Sequence, residues 1–341
     1  MKTDIKSMTL KELGIFLESL GEKKYRAGQV FSWLSKGVEE FDQMTNLPFS
    51  LREKLKESAF IETLTIEKLQ TSQKDGTRKY LFGLKSGNAI ESVFMKYRHG
   101  NTVCISSQAG CRMNCAFCAS GALGLAHDLS AAEMLDQVLS IQRDTGEKVN
   151  NIVIMGTGEP FDNYDNLCRF LEIIHEKEGL NMGLRSVTVS TCGLIPQMEQ
   201  FARDYPQVNL AVSLHAPNDA IRDTLMPVNR SYPMNELLTA CRRHTEKTGR
   251  RITFEYALIQ GINDGEVHAK ELAKRLSGML CHVNLIPLNV VEGGSFSGVE
   301  RKVAERFLAV LESKGIQATI RRELGSDIGG ACGQLRLSLK S

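Results

Sequence analysis

The chain has 341 residues, 42% of them hydrophobic, with 42 Lys plus Arg against 40 Asp plus Glu. That length gives one large domain or two unequal ones, and the hydrophobic share is enough for a sizeable core, so a disordered chain is not expected. A net charge of +2 excludes a strongly basic or acidic protein, so any nucleic-acid contact must come from local patches.

The nine cysteines are too few for a disulfide scaffold of this size and read as core, metal-binding or catalytic thiols of a reducing compartment. Met1 to Lys6 carry charges with no apolar run behind them, and no stretch approaches the ~18 apolar residues of a membrane helix. A cytoplasmic protein without membrane contact is expected, a monomer by default.

In chain order, Leu10, Leu13, Phe16, Leu17 and Leu20 fall at helical spacing, and Val30, Phe31, Trp33 and Leu34 suggest a second apolar face. Asn46-Leu47-Pro48 interrupts, and Leu51 to Leu55 resumes the pattern. Tyr80-Leu81-Phe82, a turn at Ser86-Gly87-Asn88 and Ile90 to Tyr97 read as strands.

Beyond that point the texture changes to short apolar strands alternating with amphipathic helices. The strands are Thr102–Ser106, Asn151–Met155, Ser186–Ser190, Asn209–Leu214, Ile252–Ile259, Val283–Pro287 and Ala318–Arg321. Ala131–Gln142 and Val299–Leu311 are among the helices between them. This alternation predicts an α/β fold, a partial (β/α)6 barrel with parallel strands. The expected division is an accessory domain at 1–98, the barrel at 99–325 and a C-terminal loop at 326–341.

Unusual residues collect at the strand ends, which form the active-site face of a barrel. The sharpest group is Cys111-Arg112-Met113-Asn114-Cys115-Ala116-Phe117-Cys118. Three thiolates on one loop suit a [4Fe-4S] cluster with one open iron, which chelates S-adenosylmethionine for reductive cleavage to a radical. Structural zinc is the competing reading, but zinc takes four protein ligands and none other lies close in sequence. The next strand ends in Gly156-Thr157-Gly158-Glu159-Pro160; later ones carry Ser190-Thr191-Cys192-Gly193, Ser213-Leu214-His215 and Pro287-Leu288-Asn289.

The C-x3-C-x2-C loop resembles the signature of the radical S-adenosylmethionine superfamily. Cys104, Glu91 in Ile90-Glu91-Ser92-Val93, Gly329-Gly330-Ala331-Cys332-Gly333 and Ser213 to Asn218 narrow the resemblance to the RlmN family of RNA methyltransferases. Thr157 departs from that pattern, where many members carry methionine.

The resemblance implies a catalytic set. Cys332 takes a methyl from one S-adenosylmethionine, and a second molecule supplies the radical, two per turnover. Glu91 is the base, and Cys104 resolves the protein–RNA adduct through a disulfide. Gly158, Glu159, Ser190, Ser213, Leu214, His215 and Asn289 are the expected cofactor contacts. The implied substrate is adenine C2 in 23S rRNA and the anticodon-adjacent adenine of tRNAs, with a flavodoxin-type electron donor. C8 methylation of the same rRNA adenine, another radical enzyme such as a glycyl-radical activase, and a zinc protein binding RNA stay open. Basic candidates for RNA are Lys23-Lys24-Tyr25-Arg26, Arg242-Arg243-His244 with Arg250-Arg251, and Arg321-Arg322. Cys168, Cys192, Cys241 and Cys281 have no assigned role.

Overall fold

A computed structural model describes residues 2–121, 124–288, 296–322 and 324–329. The chain opens with β1 (Thr3–Asp4), α1 (Leu10–Ser19), α2 (Arg26–Ser35), α3 (Phe49–Ser58) and β2 (Ala59–Phe60), which pairs in parallel with β1. Thr9 caps α1 in a reciprocal box with Glu12. The apolar stripes behave as the spacing predicts: Leu13, Leu17, Val30, Phe31 and Leu34 are buried.

An antiparallel meander follows, β3 (Thr65–Thr71), β4 (Arg78–Gly83), β5 (Ala89–Tyr97) and β6 (Gly100–Ile105). β3 carries no alternation legible in sequence, because it is an edge strand with nearly all its side chains in solvent. A hairpin of β7 (Gln108–Cys111) and β8 (Gly124–Asp128) leads into α4 (Ala131–Thr145).

Then come β9 (Asn151–Ile154), α5 (Tyr164–His175), β10 (Val187–Thr191), α6 (Ile195–Asp204) and β11 (Asn209–Ser213). The chain continues through α7 (Asp219–Leu225), α8 (Met234–Thr248), β12 (Ile252–Leu258), α9 (Glu266–Leu276), β13 (Cys281–Pro287), α10 (Arg301–Ser313) and β14 (Ala318–Ile320).

The sheet order is β14-β13-β12-β11-β10-β9-β6-β5-β4-β3. β6, β9, β10, β11, β12, β13 and β14 run parallel, joined by helical crossovers, as the expected partial barrel requires. Strand residues alternate. Val103, Ile152, Val189, Val212, Phe254 and Leu285 pack against the helices. Val153, Ser190, Ser213, Glu255 and Asn284 face the concave side.

The structure differs from the sequence reading at residue 98. That residue lies in the turn between β5 and β6, so one sheet runs across the expected boundary. The N-terminal helices also share a single hydrophobic core with the barrel. Lys6 and Asp136 of α4 form an ion pair across this junction at 2.5 Å, both side chains 0% exposed. No helix among the described residues is long and apolar enough to cross a membrane.

Candidate functional site

Cys111 closes β7, and the following loop carries Cys115 and Cys118 around one cleft. The loop's shape follows from a few residues. Gly110 has φ 83°, and a Cβ there would stand 1.9 Å from the Gly124 carbonyl oxygen. Asn114 takes φ 51°, a conformation its short polar side chain tolerates. The Ala116 N–H donates to the Leu225 carbonyl at 2.9 Å, which ties the loop to α7.

Burial pushes the Cys111 thiol up to about 12, with the neighbouring Glu159, Cys118 and Asp162 adding to it, and burial raises Cys115 as well. Thiols in such surroundings ionise when a metal centre takes their protons' place. The three thiols line one opening, and a set of three thiolates suits an iron–sulfur cluster.

Behind the loop stands the segment after β9. Gly158, at φ 108°, lies so close that a Cβ would meet Gln108 at 2.6 Å. Gln108 organises this corner. Its Oε1 accepts from the Glu159 N–H at 2.8 Å, and its Nε2 donates to Asp128 and Asp162 at 2.7 and 2.9 Å. The buried Glu159 carboxylate accepts from the Phe161 and Cys192 N–H groups at 3.0 and 2.7 Å. Burial raises its pKa despite those bonds. Thr157 acts through its backbone: its carbonyl accepts from Ser107 and Gln108, and its N–H donates to Ser106 Oγ.

Ser190 and Ser213 line the cleft at the ends of β10 and β11. His215 also lines it and stacks edge-on against Phe117, the aromatic between the second and third cysteines, at 4.8 Å. Its Nδ1 accepts from the Ala257 N–H at 2.9 Å, which assigns the proton of the neutral ring to Nε2. Leu214 packs its side chain into the hydrophobic core between these two cleft residues. Asn289 and Cys332 lie outside the described residues.

Burial and the Arg222 charge lower the His215 pKa from 6.5 to about 3. A depressed histidine pKa means the unfolded state binds the proton more readily. The stabilisation is therefore complete above pH 6.5 and is lost as pH falls towards 3. A His215→Asn variant, whose amide can accept from Ala257, should lose up to about 2 kcal/mol less stability than the native protein between neutral pH and about pH 5. Urea midpoints at the two pH values check this; parallel losses would contradict it.

Glu91 and Cys104 are buried on the concave face of β5 and β6. Cys104 pairs with Val93, two residues along the same face from Glu91. Lys79 of β4 meets Glu91 Oε1 at 2.9 Å and donates to the Gly329 carbonyl at 3.2 Å. The chain before Gly329 is pinned too: Asp327 accepts from Ser72 Oγ and the Gln73 N–H, and the Gly325 N–H donates to Asp75. Burial alone would raise Asp75, but the Gly325 N–H with Thr77 and Ser72 lowers its carboxyl to about 2.

Several site residues escaped the sequence reading. Cys192, which the sequence left without an assigned role, lines the cleft and hydrogen-bonds the Glu159 carboxylate with its thiol. Glu255 faces the cleft from β12 and accepts from Asn284 Nδ2 at 2.7 Å. Lys79 and Arg222 gave no local signal. For Glu255 the alternation of β12 was the available clue. Cys241 and Cys281 belong to the core, and Cys168 is half-buried.

Residues 3–61 match the family described as ribosomal RNA large subunit methyltransferase N-terminal domain, and residues 105–273 match the radical SAM superfamily. A probable dual-specificity RNA methyltransferase RlmN of Thermoanaerobacter sp. is 52% identical over 98% of this chain and 97% of its own length. One from Desulforamulus reducens is 52% identical over 100% of this chain and 97% of its own. A solved radical SAM methyltransferase from Sphaerobacter thermophilus superposes with a TM-score of 0.95 at 46% identity, covering 98% of this chain and 100% of that one.

Proposed function

The chain belongs to the RlmN family of dual-specificity RNA methyltransferases in the radical S-adenosylmethionine superfamily, and from that membership we propose that it methylates C2 of an adenine in RNA through Cys332. The substrates in this reading are an adenine of the peptidyl-transferase centre in 23S rRNA and the anticodon-adjacent adenine of tRNAs. Cys111, Cys115 and Cys118 would hold a [4Fe-4S] cluster. When bound, the cluster supplies one electron for the cleavage of S-adenosylmethionine.

The chain's own residues carry the rest. Adenine C2 is too electron-poor to take a methyl by displacement, whereas a thiolate is nucleophilic enough. Cys332 serves as that carrier, using two molecules of S-adenosylmethionine per turnover. The S-methyl carbon of Cys332, after giving a hydrogen atom to the radical from the second S-adenosylmethionine, bonds to C2, and one electron leaves the adduct as Glu91 removes the C2 proton. Cys104 attacks the Cys332 sulfur and forms a disulfide; the carbon–sulfur bond breaks, and its electron pair stays with the carbon on the adenine, which takes up a proton to become the methyl group. Gly158, Glu159, Ser190, Ser213, Leu214, His215 and Asn289 position the cofactor in this reading. A flavodoxin-type protein is the proposed electron donor.

The observation that supports this reading most is the Lys79 bridge between Glu91 and Gly329. Gly329, three residues before Cys332 in the sequence, is thereby tied to the Glu91 carboxylate, and Glu91 shares its sheet face with Cys104.

The N-terminal helices suit RNA positioning through the exposed Tyr25, with Arg26 stacked over its ring at 4.9 Å, and the exposed Phe49. Because these helices share the barrel's core, substitution of Lys23, Lys24 and Tyr25 tests the role better than deletion does.

The deciding experiment gives the reconstituted protein S-adenosylmethionine, a reductant and rRNA. Nucleoside mass spectrometry should find 2-methyladenosine, and peptide 323–336 should carry one methyl on Cys332. A product methylated at C8 would replace the C2 assignment, and an unmodified Cys332 in cluster-loaded protein would remove the carrier step.

A further inference from the structure

Arg222 of α7 has a side chain with no solvent exposure, 0%, and is the bulkiest fully buried residue among those described. Its Nη2 donates to the carbonyls of Cys192 at 2.7 Å and Ser213 at 3.3 Å, and its Nε to Leu214 at 3.3 Å. Nη1 donates to Asn229 Oδ1 at 2.9 Å. All four acceptors are neutral. Asp219 and Asp223 are reached only through the Asn229 amide, at 3.0 and 2.7 Å. Burial presses the guanidinium pKa down, yet an arginine stays protonated at any ordinary pH.

A buried cation with only neutral partners is costly. Its charge faces the Cys192, Cys115 and Cys241 thiols and, on the other side, the Asp219 carboxylate. α7 itself backs the cysteine loop. Leu225 accepts from the Ala116 N–H, and Leu225 and Met226 pack with Met113, Cys115 and Phe117.

We propose that Arg222 sets the reduction potential of the cluster by lending fixed positive charge that favours its reduced state. The proposal rests on the three cysteines being cluster ligands. Reduction adds one electron from a low-potential donor to a centre that already carries three thiolates, and no bond breaks. The more negative product gains more from a nearby cation, and the low-dielectric surroundings keep that gain large. The carbonyls that hold the guanidinium belong to Cys192, Ser213 and Leu214, at the ends of β10 and β11. The same side chain thereby fixes part of the cleft wall.

The test uses the full chain, reconstituted anaerobically, without S-adenosylmethionine or RNA, and titrated with dithionite. Electron paramagnetic resonance reads the reduced fraction at each poise. At a fixed poise, Arg222→Met should lower the reduced-to-oxidised ratio about tenfold, equal to about 59 mV for one electron. Arg222→Lys, which keeps the charge, should stay within about threefold of the native ratio. Asn229→Asp sets a carboxylate against Nη1 and should shift the ratio in the same direction as Arg222→Met, and it decides the matter if that variant does not fold. Neutral or neutralised variants with full iron and sulfide and an unchanged ratio overturn the proposal. A lysine variant that falls as far as methionine overturns it too, because hydrogen bonding and not charge would then be responsible. Native protein that holds no iron or sulfide fails the cluster reading instead.

Discussion

Replacing Gly110 by alanine should strip the protein of the cluster proposed for Cys111, Cys115 and Cys118. The residue has φ 83°, and an added Cβ would sit 1.9 Å from the Gly124 carbonyl oxygen and 3.0 Å from its carbon. Both are backbone atoms of the paired strand, so no side-chain rotation relieves the clash. The β7–β8 hairpin must open, and Cys111 is the next residue. A displacement of about 1 Å at a reacting constellation costs on the order of 100-fold in rate. Iron and sulfide content should fall with S-adenosylmethionine cleavage. Gly249→Ala is the control. Its φ of 63° is equally left-handed, but nothing lies within 4 Å of the new Cβ. It should cost only about 1–2 kcal/mol of stability and keep the cluster. Normal iron loading in Gly110→Ala would show that the hairpin does not set the loop.

Asp136→Ala should produce the largest loss of folding stability, about 3–5 kcal/mol by denaturant unfolding. Asp136 Oδ1 takes the Lys6 ammonium, and Oδ2 accepts from the Leu64 N–H at 2.7 Å and from Ser140 Oγ. Lys6 keeps only the Glu62 carbonyl at 2.8 Å once the carboxylate is gone. An unpaired ammonium is then buried beside an unsatisfied amide. Removing both charges, with Lys6→Met and Asp136→Leu, should recover part of the loss. It cannot recover all of it, because the Leu64 N–H still lacks an acceptor, at a cost of about 1–3 kcal/mol. A double variant no more stable than Asp136→Ala would contradict the account.

The same contrast runs through the rest of the molecule. The cysteine loop was legible because its three thiols stand within eight residues, and the structure gathers them around one cleft. The parallel strands were legible because each buries one face against helices and so alternates with period 2. The Gly-Thr-Gly-Glu segment was legible from glycines that packing does not otherwise require; Gly158 proves to be where Gln108 approaches too closely for a side chain. β3 was not, since its solvent-facing residues carry no burial pattern. Nor was the passage of one sheet across residue 98, because strand pairing is a backbone property that side-chain sequence records only weakly.

The sequence by itself determined the helices, the barrel strands, the cysteine triad and the residues gathered at the strand ends, because those signals act within a turn or a strand's length. The tertiary structure alone decided which partners the buried charges find. Lys6 finds Asp136 across 130 residues, Lys79 finds Gly329 across 250, and Arg222 finds Cys192 across 30. Burial makes such pairings strong, and nothing in the local spacing of a lone lysine or arginine distinguishes a buried partner from solvent.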